Sequence, residues 1–147
     1  MIIDVKKLKS KGITDYNFEF DYIPPENLIT LPETVFTKAV KVAGELSIYN
    51  DYILVEADID FEISGDCSRC LEKAVLAVKA KLDEKFLNVK SDTEYYYLNE
   101  MLDLSSAVND LIIMNMPYII LCKEDCKGLC SKCGANLNKQ ECKCENR

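Results

Sequence analysis

The sequence contains no histidine in its 147 residues. No imidazole is therefore available as a general base, a proton shuttle or a metal ligand. The glycine-bearing patterns G-x-S-x-G, G-x-x-x-x-G-K-[ST] and G-x-G-x-x-G are also missing, which removes the usual nucleophile elbow and phosphate cradles. Long apolar runs are missing too. The longest, around 111–116, is interrupted by Asn115 and falls well short of the roughly 18 residues a membrane span needs. Met1 is followed by IIDVKKLKSKG, which breaks into charge before a leader-like apolar stretch can form, so a cytoplasmic protein is expected. There is no internal repeat and no low-complexity segment. Positive charge is scarce, with 18 Lys and Arg against 25 Asp and Glu. The deficit lies in residues 1–121, which carry 12 basic against 21 acidic side chains, whereas residues 122–147 carry six against four. Such a body is a poor electrostatic surface for nucleic acid.

The length suggests one domain able to bury a core of its own. Residues 1–7 read as a short edge strand. Tyr16, Phe18, Phe20 and Tyr22 alternate with polar residues, the period of a half-buried strand, which Pro24-Pro25 ends. Val42, Gly44, Leu46 and Ile48 alternate again, and Asn50-Asp51 marks a turn. The cleanest strand follows, with Val55, Ala57, Ile59, Phe61 and Ile63 opposite Glu56, Asp58, Asp60 and Glu62. Period-two spacing spreads these acids along a solvated face rather than gathering them round a cation. Ala74, Leu76, Val78, Ala80 and Leu82 alternate with Lys73, Lys79 and Lys81, lysines that can face the acids of the preceding strand. Phe86 and Val89 are expected to be buried. The aromatic run Tyr95 to Tyr97 lies in acidic surroundings, which favours packing or a protein contact over base stacking. Leu102, Leu104, Val108, Leu111 and Ile112 predict one amphipathic helix over roughly 104–115. Asp103 or Ser105 would cap it, Pro117 would stop it, and Ser105, Ser106, Asn109 and Asp110 would face out. The fold class is thus α+β: an antiparallel sheet of about five strands, one main helix over 1–121, and a cysteine-rich extension over 122–147.

What the sequence does have is cysteine, eight in all. Six lie in the pattern C-x3-C-x3-C-x2-C-G-x7-C-x-C from Cys122 to Cys144, and Cys67-x2-Cys70 sits at a predicted hairpin. In a reducing compartment such cysteines more often bind metal than form disulfides. Cys130-x2-Cys133-Gly134 has the form of a knuckle that grips one side of a tetrahedral zinc, and Cys142 and Cys144 can complete a four-thiolate structural site. Cys67, Cys70, Cys122 and Cys126 can form a second zinc site that clips the sheet to the tail. Other uses of the thiols remain open. Cys67-x2-Cys70 could be a redox pair, although that role prefers a helix N-terminus. Cys126-x3-Cys130-x2-Cys133 has the spacing of four-iron radical enzymes, and all-cysteine sites also suit electron-transfer iron–sulfur clusters. Two saturated sites would leave no open coordination position, so no catalytic residue is assigned and no small-molecule substrate or membrane partner is expected.

Cys67-Ser68-Arg69-Cys70-Leu71, together with Cys126-Lys127-Gly128-Leu129-Cys130-Ser131-Lys132-Cys133-Gly134-Ala135-Asn136-Leu137-Asn138 and Cys142-Lys143-Cys144, resembles the YceD family, the large ribosomal RNA subunit accumulation proteins of bacteria and plastids. Ser131 stands where that family often has proline. The resemblance implies a role in making or protecting the large ribosomal subunit; with no catalytic residue assigned and an acidic body, a non-enzymatic factor is expected, whose partners would be pre-ribosomal RNA, a basic ribosomal protein, or both. A metal-dependent RNA-processing enzyme and an iron–sulfur or redox protein are the alternatives. Arg69 matches the motif. It could meet an RNA phosphate or a carboxylate, or it could pin the hairpin through a backbone carbonyl. Lys127, Lys132, Lys139, Lys143 and Arg147 are the tail's candidate RNA or partner contacts.

Overall fold

The computed structural model describes residues 1–144. The Arg147 contact proposed from sequence lies outside the described residues. Alternating side chains build the sheet. Strand β2 (Asp15–Tyr22) pairs antiparallel with β4 (Val40–Ile48), β4 with β5 (Tyr52–Asp66), and β5 with β6 (Lys73–Leu87). The short β3 (Val35–Phe36) pairs with Ser64 and Ile63 of β5, beyond the end of β4 on the same edge. Val42, Leu46, Val55, Ile59 and Ile63 are fully buried on one face. On the wet face the register sets Asp58 opposite Lys81 and Asp60 opposite Lys79, and both pairs form exposed ion pairs. Exposed pairs of this kind each contribute at most about 1 kcal/mol, so the buried face holds the sheet.

A second sheet of two strands joins the N-terminus to the late chain. β1 (Ile2–Asp4) pairs with β7 (Met101–Asp103). Two helices follow these strands. α1 (Val5–Ser10) buries Val5 and Leu8, with the Asp4 carboxylate accepting from Lys7 N–H at 2.9 Å. The edge strand expected over 1–7 is therefore only three residues long, and the rest is helix. Asp4 supplies the cap, and the 5–8 spacing of the two apolar side chains suits one helical turn. α2 (Ser105–Met114) packs on β6 and buries Ala107, Val108 and Ile112. Leu104 rather than Asp103 or Ser105 holds the N-cap position, and the Asp103 carboxylate, two residues before the helix, accepts from Ser105 N–H at 2.9 Å. Asn109 does not simply face water. Its side-chain oxygen accepts from the Tyr22 hydroxyl at 2.9 Å, tying α2 to β2. The Asp110 carboxylate accepts from the Tyr95 hydroxyl at 2.7 Å, and the Tyr95 ring stacks on Phe86. Val89, expected inside, is 59% exposed because the chain leaves the sheet at Leu87. No helix among the described residues is long and apolar enough to cross a membrane.

Candidate functional site

The long hairpin β5–β6 ends in a tight knuckle. Asp66 and Lys73 face each other at its base and form an ion pair at 2.8 Å. Above them, Cys67 N–H donates to the Glu72 carbonyl at 2.8 Å and Leu71 N–H donates to the Cys67 carbonyl at 2.9 Å. The knuckle at Cys130 repeats this pattern. Cys130 N–H donates to the Ala135 carbonyl and Gly134 N–H donates to the Cys130 carbonyl, both at 2.8 Å. Each turn closes on a left-handed residue, Leu71 with φ 59° and Gly134 with φ 72°. Glycine adopts that conformation freely, whereas leucine does so at a cost.

Two sets of four sulfurs gather at these knuckles. Cys67, Cys70, Cys122 and Cys126 form one and Cys130, Cys133, Cys142 and Cys144 the other, with the sulfurs of each set within 4.8 Å of one another. Each cluster could chelate a metal ion. In the first, Cys67 Sγ lies 3.8 Å from Cys126 Sγ, and Cys70 Sγ lies 3.6 Å from Cys122 Sγ. In the second, Cys142 Sγ lies 3.2 Å from Cys130 Sγ and 3.6 Å from Cys133 Sγ. These separations far exceed the roughly 2.05 Å of a disulfide, and all eight cysteines are free.

The backbone prepares some of these sulfurs to be thiolates. Burial opposes ionisation of Cys67, but the N–H groups of Arg69, Cys70 and Cys122 point at its sulfur and bring it down to about 6. In the second knuckle the N–H of Cys133, then the Cys142 thiol and the N–H of Lys132, bring Cys130 down to about 6. Their neighbours move the other way. Burial and then the Cys126 thiol push Cys122 up to about 12, and the Cys142 and Cys133 thiols push Cys144 up to about 12. Sulfurs this close cannot all carry negative charge without a cation among them.

A second ring of contacts fixes the first cluster. The Arg69 guanidinium donates to the Cys126 carbonyl at 2.9 Å and to the Glu124 carbonyl at 3.4 Å. Arg69 therefore pins the tail rather than its own hairpin, through carbonyls rather than a carboxylate. The Asn138 amide donates to Cys126 Sγ at 3.3 Å, while its oxygen accepts from Lys127 N–H at 2.9 Å. Gly128 has φ 73°, and a Cβ there would sit 3.0 Å from the Arg69 carbonyl. Lys139 forms an ion pair with Glu72, so it spans from the tail to the hairpin. Lys127, Lys132 and Lys143 lie on the exposed side of the tail. Gly128, Asn138 and Glu72 had no assigned role in the sequence reading. The first two stand inside the quoted motif, and nothing in the sequence signals Glu72.

Fold and site together define a β-sheet protein whose cysteine-rich tail is fastened to its longest hairpin through a four-thiol cluster. The family described as large ribosomal RNA subunit accumulation protein YceD matches residues 55–147, and the chain belongs to this family. Among its relatives is the chloroplastic "large ribosomal RNA subunit accumulation protein YCED homolog 1" of Arabidopsis thaliana. It is 44% identical over 43 residues, which is 29% of this chain and 13% of that one. The Zea mays protein of the same name is 40% identical over 47 residues, 31% of this chain and 16% of its own. An uncharacterised protein of Mycobacterium tuberculosis is 29% identical over 93 residues, 58% of this chain and 45% of its own. The chain thus spans less than half the length of these relatives. No solved structure matches it.

Proposed function

We propose that this protein is a zinc-stabilised, non-enzymatic factor that supports accumulation of large-subunit ribosomal RNA in the cytoplasm. It would do so by binding pre-ribosomal RNA, a basic ribosomal protein, or both. The observation that carries the reading is family membership across residues 55–147, a span that includes both cysteine knuckles. The donor sets fit zinc. With Zn–S bonds of about 2.3 Å, the sulfurs of a tetrahedral site lie about 3.8 Å apart. The separations of 3.8 and 3.6 Å in the first cluster match this, and those of 3.2 and 3.6 Å in the second are close. Cys67, Cys70, Cys122 and Cys126 would hold one ion, and Cys130, Cys133, Cys142 and Cys144 the other. Zinc would supply the positive charge that lets all four thiols of a site ionise. Four protein sulfurs fill a tetrahedral ion and leave no position for water or substrate, so both sites read as structural.

The acidic body supports a basic protein client. Depletion of the protein in its own cells tests the role. The ratio of large- to small-subunit ribosomal RNA should fall, and the wild-type chain should restore it. An unchanged ratio would remove the ribosomal reading.

A further inference from the structure

One exposed groove runs beside the first cysteine cluster. Three segments converge there: the loop at 31–34, the knuckle at 66–71, and the strap at 118–120. Gly65 is the point of closest approach, because a Cβ there would stand 2.6 Å from both Ile120 Cδ1 and Thr34 Oγ1. Ser68 N–H donates to the Ile120 carbonyl at 2.8 Å and holds the strap along the hairpin. Ile120 points inward and is buried. Its neighbours Tyr118 and Ile119 point outward, 96% and 58% exposed.

Leu71 completes the apolar lining and is 65% exposed. Its place is anomalous. The equivalent residue of the other knuckle is Gly134, in the same left-handed conformation and with nothing within 4 Å of a built Cβ. Glycine would satisfy the turn at Leu71 equally well. The leucine therefore puts an apolar side chain in water at a position that also disfavours it. Glu33, a second non-glycine residue in the left-handed region, lines the same groove with φ 51°. Two of the four non-glycine residues in this conformation among the described residues thus line one groove, and such residues cluster at binding sites.

We propose that this groove docks a protein segment in which one aliphatic side chain is flanked by lysine or arginine. Leu31, Leu71, Tyr118 and Ile119 offer the apolar wall, while Glu33 supplies the charge, the Asp66 carboxylate being already paired with Lys73 at 2.8 Å. No lysine or arginine lines the groove among the described residues. RNA stacked on Tyr118 would need a positive track for its backbone, and the lining here carries the opposite sign. The groove volume of about 220 Å³ is smaller than a typical small-molecule pocket and suits a single anchoring side chain. The Cys67 knuckle forms one wall, so the docking surface exists only while the tail is fastened to the hairpin.

Fluorescence anisotropy on the full-length, zinc-loaded protein tests this with two labelled peptides, Lys-Arg-Lys-Leu-Lys-Arg-Lys and its counterpart with serine at the centre. The leucine peptide should bind about tenfold more tightly, the factor expected from burying one aliphatic side chain. Leu71→Gly should abolish that preference while melting no lower than wild type and retaining its metal. Equal binding of the two peptides, or a preference that survives in Leu71→Gly, would overturn the proposal. A lower melting point of Leu71→Gly would make the leucine a structural residue and overturn it equally. So would a labelled uridine oligonucleotide whose binding depends on Leu71. The inference rests on the ribosomal reading only for the partner's basic character. A failed peptide test leaves the RNA-depletion result standing, and a failed depletion experiment leaves the groove's preference measurable.

Discussion

The two cysteine clusters differ in what they fasten, and under the proposed zinc reading this difference should be measurable as a dependence on the metal. Cys67 and Cys126 are 59 residues apart, whereas Cys130 and Cys142 are 12 apart. Closing the longer loop in an unfolded chain costs about 1.4 kcal/mol more, from the logarithmic growth of loop entropy. Ligands of the second cluster can therefore find an ion while the sheet is unfolded. Those of the first gather only once β5 and β6 have paired. An ion that binds the folded state alone stabilises it by about 2.7 kcal/mol at a hundred times its dissociation constant, and by about 4.1 kcal/mol at a thousand times. For a chain of this size that is roughly 10 °C of melting temperature. Cys126→Ser should lower the midpoint of the sheet by this amount, and the midpoint should no longer rise with the logarithm of free zinc. Cys142→Ser should lose one bound ion per chain yet keep both the midpoint and its zinc dependence. Circular dichroism melts in zinc buffers, with metal content counted by chelator release, read both quantities. If Cys142→Ser abolishes the zinc dependence as fully as Cys126→Ser, or if Cys126→Ser keeps it, the separation into a clip and a local tail site is wrong.

Three further outcomes follow from local geometry. Gly128→Ala should weaken metal retention at the first cluster about tenfold in a chelator titration. A left-handed alanine costs about 1–2 kcal/mol, and its Cβ would also press on the Arg69 carbonyl at 3.0 Å. Gly134→Ala, at φ 72° with open space around it, should weaken only the second cluster. Burial and then the Asp110 carboxylate push the Tyr95 phenol up to about 12. The folded state thus favours the neutral phenol, and this stability is fully present below the ordinary tyrosine value near 10 and lost as pH rises from there toward 12. Tyr95→Phe should flatten the stability profile between those limits, and tyrosinate absorbance should lose its last-titrating phenol. An unchanged profile would mean that the bond to Asp110 contributes nothing.

Residue periodicity carried the sheet. Val55, Ala57, Ile59, Phe61 and Ile63 alternate so strictly with acids that the buried face of β5 follows from the one-dimensional pattern, although the strand runs further at both ends, from Tyr52 to Asp66. The lysines of β6 likewise fix which of its sides meets those acids. Cysteine spacing carried the knuckles, because a C-x2-C turn is local and its amides reach back to its own first sulfur. Short elements escaped. α1 has only six residues, too short a span for its 5–8 apolar spacing to stand out from the strand beside it. β7 is three residues long and is a strand only because β1 lies beside it. The role of Arg69 also escaped, since a guanidinium in a hairpin motif can serve phosphate, carboxylate or carbonyl equally well until its neighbours are known.

The sequence alone determined what is local: alternating strands, a capped helix before Pro117, two knuckles, and an acidic body with a slightly basic tail. The tertiary structure decided what is distant. It set Cys126 against Cys67, turned Arg69 and Lys139 into fasteners of the tail, and left Leu71 and Tyr118 in water beside Glu33. The physical reason is chain entropy. Contacts three to five residues apart are written into spacing, whereas contacts fifty or more residues apart exist only because a buried sheet face has already closed the loop between them.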